Sequence, residues 1–182
     1  MLITMTITVA TAECFTHGII AREIHAAIQG YQGEFGPKSP NLQWLKGRRG
    51  EVILLCGMFI PTLSAVKSVL KVDPPQPQQL INGIKVYHEE DDQKVALLMA
   101  KAVKEISGAE IGIGTTAGIG RGGIAIVTPE LTIKTTSDVY ADLRSANSEQ
   151  LLERQRSGIT NAMNILEDII QNKIEGTIIP EK

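Results

Sequence analysis

This 182-residue chain has few of the residues that carry disulfides, stack on nucleic-acid bases or build up charge of one sign. Its two cysteines, Cys14 and Cys56, sit in unlike contexts and indicate no disulfide framework. Aromatic residues make up only 4%, and the net charge is −2, which argues against a nucleic-acid-binding surface. No apolar run reaches the roughly 20 residues that span a bilayer. We therefore expect neither nucleic acid nor membrane as a partner.

What is present is the composition of an ordinary globular domain, with 43% hydrophobic residues. A chain of this length buries enough apolar surface to fold without a metal or a disulfide. The apolar start of the chain has no basic segment before it, which favours a first strand over a signal peptide. We expect a single cytoplasmic domain over 1–182 with reduced thiols. No cluster of histidine and cysteine has the spacing of a metal site.

Strands and helices are predicted to alternate, which indicates an α/β fold. We expect three layers, with a mixed, largely parallel central sheet flanked by helices. The run EVILLC (51–56) predicts a strand buried on both faces. Further strands are predicted at 3–10, 110–113, 123–127 and 131–136, and helices at about 16–29, from Pro61 onward, at 88–107 and at about 147–171.

Three segments depart from this alternation. Residues 30–50 are rich in glycine, proline and basic residues and predict a long loop, a candidate insertion that is either functional or mobile. The prolines of DPPQPQQ (73–79) predict an extended connection. The tail from 175 to 182 is expected to be loosely held.

Three predicted strands end in unusual residues: AECFTHG (12–18), CGMFIPT (56–62) and GTTAGIGRGG (114–123). Ligands of open α/β sheets bind beyond the carboxyl ends of the strands. The fold therefore predicts that these three segments converge on a site.

Cys14 has two interpretations. At the amino end of a helix, free N–H groups and the helix dipole favour a thiolate, which is a nucleophile. His17 or Glu13 could then serve as its partner. Alternatively, Cys14 is a small buried residue in a tight corner, because free cysteine is among the most buried residue types. For Cys56, at the end of an apolar run, a core position is the better interpretation.

The glycine-rich segment 114–123 predicts ligand contact. Glycines let a backbone approach a ligand and can form an anion-binding nest, and Arg121 could grip a phosphate or carboxylate. The segment lacks the lysine of a phosphate-binding P-loop, and no helix follows it as a dinucleotide fingerprint requires. A flexible connection between strands is the alternative.

The remaining polar candidates favour structural roles. His25 and His88 are expected at the surface or at a helix cap. The acidic run 89–92 suits the first turn of a helix. Asp138 follows a candidate strand and could either stabilise a turn or form a hydrogen bond to a ligand hydroxyl.

Four segments together resemble the HcgF family of methanogenic archaea: TAECFTHG, CGMFIPTLS, INGIKVY and IGIGTTAGIGRGG. That family serves biosynthesis of the iron-guanylylpyridinol cofactor of the iron-only hydrogenase. The resemblance implies that guanylylpyridinol, or its adenylate, is the substrate and that Cys14 forms a thioester with its carboxylate. It implies no tightly bound cofactor, and it makes an adenylating enzyme a candidate partner.

A fainter resemblance links the chain to the nicotinamide-mononucleotide deamidase domain of the CinA family. It matches Ala12-Glu13, Thr16 and Gly18 with that family's first motif and places Cys14 at the serine nucleophile, while Phe15 and His17 depart from the pattern. A homodimer is expected for a domain of this kind. Besides Cys14, the ligand-binding residues predicted from the motifs are Glu13, Thr16, His17, Gly57, Thr115, Thr116, Ala117, Gly118, Gly120, Arg121 and Gly122.

Three functions follow as hypotheses. The first is acyl activation on Cys14. The second is an amidohydrolase of the deamidase type, acting on a pyridine nucleotide. The third is a carrier that binds guanylylpyridinol without catalysis.

Overall fold

Alternating strands and helices run through the computed structural model, which describes residues 6–175. The helices are α1 (Ile19–Gln29), α2 (Leu63–Ser68), α3 (Glu89–Ser107) and α4 (Ser148–Glu175). The strands are β1 (Ile7–Glu13), β2 (Val52–Phe59), β3 (Gln79–Ile81), β4 (Ile84–Val86), β5 (Ile111–Thr116), β6 (Ile119–Gly120), β7 (Gly123–Val127), β8 (Thr132–Thr135) and β9 (Ala141–Asp142). The predicted tail lies outside the described residues from 176 onward. Within the described part, no helix is long and apolar enough to cross a membrane.

The central sheet has the strand order β2-β1-β5-β7-β8. Strand β1 runs parallel to both β2 and β5, whereas β7 is antiparallel to β5 and β8, and β8 forms the second edge. One face packs against α3 and α2 through a cluster that includes Val66, Val95 and Met99. The other face packs against α1 and α4 through Ile20, Ile24, Met163 and their neighbours. The three-layer α/β fold with a mixed sheet is confirmed.

The first strand and helix differ from their predicted boundaries. Strand β1 continues to Glu13, and α1 begins only at Ile19. Between them the chain turns through His17 and Gly18, which have φ values of 54° and 76° in the left-handed region. That conformation ends one element and lets the next begin in a new direction, so residues 14–18 form a corner above the sheet.

Strand β2 corrects the expectation of a strand buried on both faces. It pairs only with β1 and forms an edge of the sheet. Ile53 and Leu55 are 41% and 44% exposed, and alternate residues along the strand face solvent. An apolar run of this length occurs both in central strands and at edges, which is why the sequence pattern alone misplaced it.

The segment 30–50 is held against the domain. It contains two short 3-10 helices, Gly33–Phe35 and Pro40–Leu45, and the side chains of Leu42 and Leu45 are buried in the α1–α4 core. The buried Glu23 carboxylate on α1 accepts hydrogen bonds from the backbone N–H groups of Lys38 and Ser39, at 2.6 and 2.7 Å. One helix side chain therefore anchors the middle of this segment.

Replacing Glu23 by alanine should release that anchor. Two partly buried N–H groups lose a charged acceptor, so we expect a loss of roughly 1–2 kcal/mol in the free energy of unfolding. Amide hydrogen exchange should accelerate at Lys38 and Ser39. Glu34→Ala, at an exposed position in the same segment, is the matched control and should leave both measurements unchanged. Unchanged exchange in Glu23→Ala would contradict the anchoring role.

The β3–β4 hairpin was not predicted from the sequence. Gln79, its first residue, was assigned to the extended connection 73–79. Asn82 and Gly83 form its turn with φ values of 49° and 82°. An Asn-Gly pair between short β-prone runs is a strong signal for this type of turn. The hairpin brings Ile84 and Lys85 beside the end of β2, where Ile84 forms a bridge with Thr62.

Candidate functional site

A cavity of about 470 Å³ opens at the carboxyl ends of the parallel strands. Its wall is mostly apolar, which is typical of small-molecule sites. The residues that line it are Cys14, Phe15, His17, Phe59, Pro61, Ile84, Ala117, Leu143, Ser148, Leu151, Leu152, Arg154 and Gln155.

The three strand ends converge here, as the fold predicted. Glu13 is in register with Phe59 of β2 and Thr115 of β5. The pairing continues past the strands, because the Cys14 N–H donates to the Thr115 carbonyl at 2.9 Å and the Ile60 N–H donates to the Glu13 carbonyl at 2.7 Å. Cys14, Pro61 and Ala117 therefore come from three different connections and meet in one cavity wall.

Cys14 lies at the base of this cavity with 5% of its surface exposed. Its Sγ faces the Pro61 carbonyl oxygen at 3.9 Å. The expectation that the amino end of α1 activates the thiol needs correction. The N–H groups of Ile20 and Ala21 in the first turn of α1 donate to the Glu13 carboxylate, at 3.1 and 2.9 Å. The positive end of the α1 dipole therefore stabilises the Glu13 carboxylate and not the Cys14 sulfur.

Glu13 and three threonines form a buried network beneath Cys14. The carboxylate also accepts hydrogen bonds from the hydroxyls of Thr11 and Thr16, and the Thr16 hydroxyl lies 2.8 Å from that of Thr115. Burial raises the pKa of Glu13, while these hydrogen bonds act in the opposite direction. Glu13, Thr16 and Thr115, predicted as ligand-binding residues, are fully buried and brace the corner that carries Cys14.

His17 lies at the mouth of the cavity and is exposed. Its ring packs against Phe59 with 5.2 Å between centroids. In the described part of the chain, its ring makes no hydrogen bond to Cys14. The structure therefore places His17 where it can contact a ligand, and it does not pair His17 with the thiol.

Arg154 on α4 is the charged residue of the described cavity wall, and it was not among the residues predicted from the sequence. Its side chain is buried, and its Nη1 donates to the carbonyls of Gly118, Gly120 and Ala141 at 3.0, 3.0 and 2.8 Å. Its Nε is buried without a hydrogen-bond partner in the described part of the molecule. A signal was available, because Arg154 lies on the apolar stripe of α4, between Leu151 and Gly158. A buried arginine there requires a partner.

Arg121, which was expected to grip the ligand, lies outside the cavity wall. Its guanidinium pairs with Glu89 at 2.8 Å, and its side chain is 52% exposed. This ion pair ties the turn after β6 to the start of α3. Of these two arginines, Arg154 lines the described cavity and Arg121 does not.

The glycines of segment 114–123 allow close packing. A Cβ at Gly114 or Gly123 would collide with the backbone of α3, at Ala96 and Asp92 respectively. A Cβ at Gly118 would lie 2.5 Å from the backbone nitrogen of Tyr87. The missing side chains therefore let the helix layer and the β4 connection approach the sheet closely.

The other predicted ligand-binding residues also lie outside the described cavity wall, except for Ala117. Gly57 lies under Ala21 of α1, where a Cβ would collide. Gly120 and Gly122 form the turn with positive φ, at 123° and 79°. Thr116 is buried at the end of β5, and its hydroxyl has no hydrogen-bond partner in the described part of the chain.

Two further charged side chains are buried close behind the cavity. Asp92 of α3 accepts a hydrogen bond from the Gly118 N–H at 2.7 Å. Burial raises the pKa of Asp92 to about 7, against the opposing effects of that hydrogen bond and of the charges of Arg154 and Lys85. Lys85 of β4 is fully buried, and its Nζ reaches the Pro61 carbonyl oxygen at 3.3 Å. Neither residue was singled out from the sequence.

The other residues discussed from the sequence have structural positions. Cys56 is partly buried against the α3 layer, and burial raises the pKa of its thiol. His25 and His88 are exposed. Asp138 accepts a hydrogen bond from the Ser157 hydroxyl at 3.0 Å and so holds its turn on α4. Residues 6–175 contain no cluster of side chains suited to a metal ion.

Comparison with known proteins settles the family. A family model described as "FeGP cofactor biosynthesis protein HcgF" matches residues 6–170. The chain belongs to the HcgF family. A UPF0254 protein of Methanothermobacter thermautotrophicus is 52% identical over 165 residues, which cover 91% of this chain and 99% of the relative. A UPF0254 protein of Methanopyrus kandleri is 46% identical over 156 residues, which cover 85% of this chain and 83% of the relative. The chain is thus a member of a cofactor-biosynthesis family.

The HcgF fold is similar to that of CinA-superfamily proteins. A CinA-superfamily protein from Enterobacter cloacae superimposes with a TM-score of 0.57 at 13% identity, covering 90% of this chain and 82% of that one. A competence or damage-inducible protein from Enterobacter asburiae gives a TM-score of 0.58 at 15% identity, covering 90% and 87%. At these identities the similarity establishes the fold alone, and it confirms the CinA-like architecture predicted from the sequence.

Proposed function

We propose that this HcgF-family protein binds guanylylpyridinol in the cavity and takes its carboxymethyl group as a thioester on Cys14. The observation that carries the proposal is the joint position of Cys14 and Arg154 in one apolar cavity. A sulfur nucleophile and a single buried guanidinium suit a substrate that combines an aromatic ring with an acyl group bearing oxygen.

The cavity wall matches the two parts of such a ligand. Phe15, Ile84 and Leu151 offer apolar surface for a pyridinol ring. Arg154 offers its guanidinium to an acyl oxygen, and its Nη1 is held in place by three backbone carbonyls. Because these bonds orient the guanidinium before the ligand arrives, little reorganisation is needed when negative charge develops on the acyl oxygen.

The chemical step requires an activated acyl group, which we assign to the carboxylate as a mixed anhydride with AMP. The Cys14 thiolate attacks the acyl carbon and forms the C–S bond. The C–O bond to the phosphate breaks, and AMP leaves with its electron pair. The thiol proton is released to solvent. A thioester keeps more acyl reactivity than an oxygen ester, so the product is suited to onward transfer.

Mass spectrometry of the intact protein tests this step. After incubation with guanylylpyridinol adenylate, the Cys56→Ser protein should gain the mass of one acyl group, and hydroxylamine should remove it. Cys14→Ala in the same background should gain nothing. Equal binding of the ligand by both proteins, with no added mass in either, would overturn the proposal and favour a carrier.

A pyridine-nucleotide amidohydrolase is the second candidate, favoured by the CinA-like fold. It would attack a carboxamide with the same sulfur and release ammonia. Ammonia release from nicotinamide mononucleotide that is lost in Cys14→Ala would support it. Acylation by the adenylate without ammonia release supports the first function.

A further inference from the structure

Lys85 is a fully buried lysine that the proposed reaction has not used. It lies in β4, in the segment INGIKVY, with none of its surface exposed. Its Nζ contacts two backbone carbonyl oxygens, those of Ile60 at 3.5 Å and Pro61 at 3.3 Å. In the described part of the chain, no carboxylate forms an ion pair with it. Two long hydrogen bonds compensate poorly for the lost hydration of an ammonium group, so a nearby negative charge is required.

The Pro61 carbonyl connects Lys85 to Cys14. The oxygen that receives Lys85 Nζ at 3.3 Å also lies 3.9 Å from Cys14 Sγ. The thiol and the ammonium therefore share one acceptor. A lysine that donates to this oxygen weakens it as an acceptor for the thiol S–H. The same positive charge stabilises sulfur once the proton has left.

The charges facing this pair leave a surplus of positive charge. Arg154 on α4 contributes a second buried cation, and Asp92 on α3 is the buried acid that acts on both cations. Asp142 of β9 also acts on Arg154, but it is already paired with Arg144 at 2.6 Å. Glu13 is turned toward α1, and His17 lies outside at the mouth. The Tyr87 hydroxyl, two residues after Lys85, donates to the Pro75 carbonyl. The one buried acid among these groups has a pKa that burial raises to about 7, so two buried cations face little negative charge, and Cys14 is the group placed to carry more.

We propose that Lys85 is a positioning residue whose ammonium group, acting at the shared Pro61 carbonyl, keeps the Cys14 sulfur ionised. This inference rests on the proposed function, in which that sulfur is the nucleophile. It assigns a role to the segment INGIKVY, which the family resemblance singled out without explaining it.

The pH dependence of alkylation tests the inference without a ligand. In a Cys56→Ser background, the rate at which iodoacetamide modifies Cys14 should rise with pH around a midpoint. Lys85→Met should move that midpoint upward by about one pH unit or more, so that alkylation near neutral pH slows about tenfold. Lys85→Gln, which remains polar but is uncharged, should shift it in the same direction. Lys85→Arg should restore most of the wild-type profile.

Lys67→Met is the matched control. Lys67 is exposed on α2, where it pairs with Asp73 at 3.0 Å, and its loss should leave the profile unchanged. If folded Lys85→Met or Lys85→Gln protein has the wild-type midpoint, the inference is wrong. Because alkylation needs no substrate, a shifted midpoint together with a failed acylation would reject the proposed function and leave the role of Lys85 intact.

Discussion

Replacing Arg154 by methionine should abolish the preference of the cavity for a ligand that carries a carboxyl group. Arg154 is the one formally charged side chain among the described residues that line the cavity. Burial lowers the pKa of its guanidinium, while Asp92, Cys14 and Asp142 act in the opposite direction. A buried charge-assisted hydrogen bond to the ligand contributes roughly 2–3 kcal/mol, or about 30- to 150-fold in Kd.

The measurement compares two ligands against two proteins. Wild type should bind guanylylpyridinol about 30-fold or more tighter than the analogue with a methyl group in place of the carboxymethyl group. In Arg154→Met, both should bind with the weaker affinity. Arg156→Met, at an exposed position on the same helix, should behave like wild type. If folded Arg154→Met kept the preference for the acid, the role assigned to Arg154 would be wrong.

The same substitution should also destabilise the fold. Nη1 of Arg154 is bonded to the carbonyls of Gly118, Gly120 and Ala141, which join β6 and β9 to α4. Methionine leaves these acceptors without their donor, so we expect a loss of roughly 3–5 kcal/mol. The ligand comparison is therefore made below the melting temperature of the variant, and it uses the ratio of two affinities, which partial unfolding does not change.

Replacing Asp92 by asparagine should change how stability depends on pH. Burial raises the pKa of Asp92 to about 7 in the folded protein, whereas an unfolded aspartate titrates near 3.9. Between these values the native state holds a proton that the unfolded state has lost. The free energy of unfolding therefore falls as pH rises from about 4 to about 7, in total by on the order of 4 kcal/mol from this one group.

Urea unfolding of both proteins between pH 4 and pH 8 isolates this contribution. Asparagine carries no titrating proton, so Asp92→Asn should gain stability relative to wild type as the pH rises, and the difference should level off above about pH 7. The contribution of Glu13, whose pKa is also raised, is common to both proteins and cancels. A difference in stability that stays constant across this range would contradict a buried, protonated Asp92.

The fold could be predicted where periodicity and length agree. The pattern of apolar residues predicted α3 and α4 to within a few residues of their observed bounds. The convergence of Cys14, Pro61 and Ala117 followed from the rule that parallel strands end at one edge of a sheet. Strand β2 was misplaced because an apolar run does not indicate whether a second strand covers its outer edge. That depends on chain order in the sheet, which the local sequence does not contain.

The cavity wall was predicted from the sequence only in part. Cys14, His17 and Ala117 follow strand ends, where position alone suggests function. The charged residues required tertiary knowledge. The position of Arg154 is fixed by hydrogen bonds to the carbonyls of Gly118 and Ala141, which are distant in sequence. Arg121 instead forms an ion pair with Glu89, outside the cavity wall. A charged residue within the apolar stripe of a helix is the sequence signal for a buried charge, and Arg154 shows this signal.

Carbon-13 NMR of the protein with guanylylpyridinol adenylate labelled at the carboxyl carbon reports directly on the bond that Cys14 is proposed to form. In the Cys56→Ser protein, a protein-bound signal should appear in the chemical-shift range of thioesters, downfield of carboxylates and oxygen esters. It should be absent in Cys14→Ala. If the labelled carbon stays at the position of a carboxylate or an acyl phosphate while the ligand is bound, Cys14 is not the acyl acceptor.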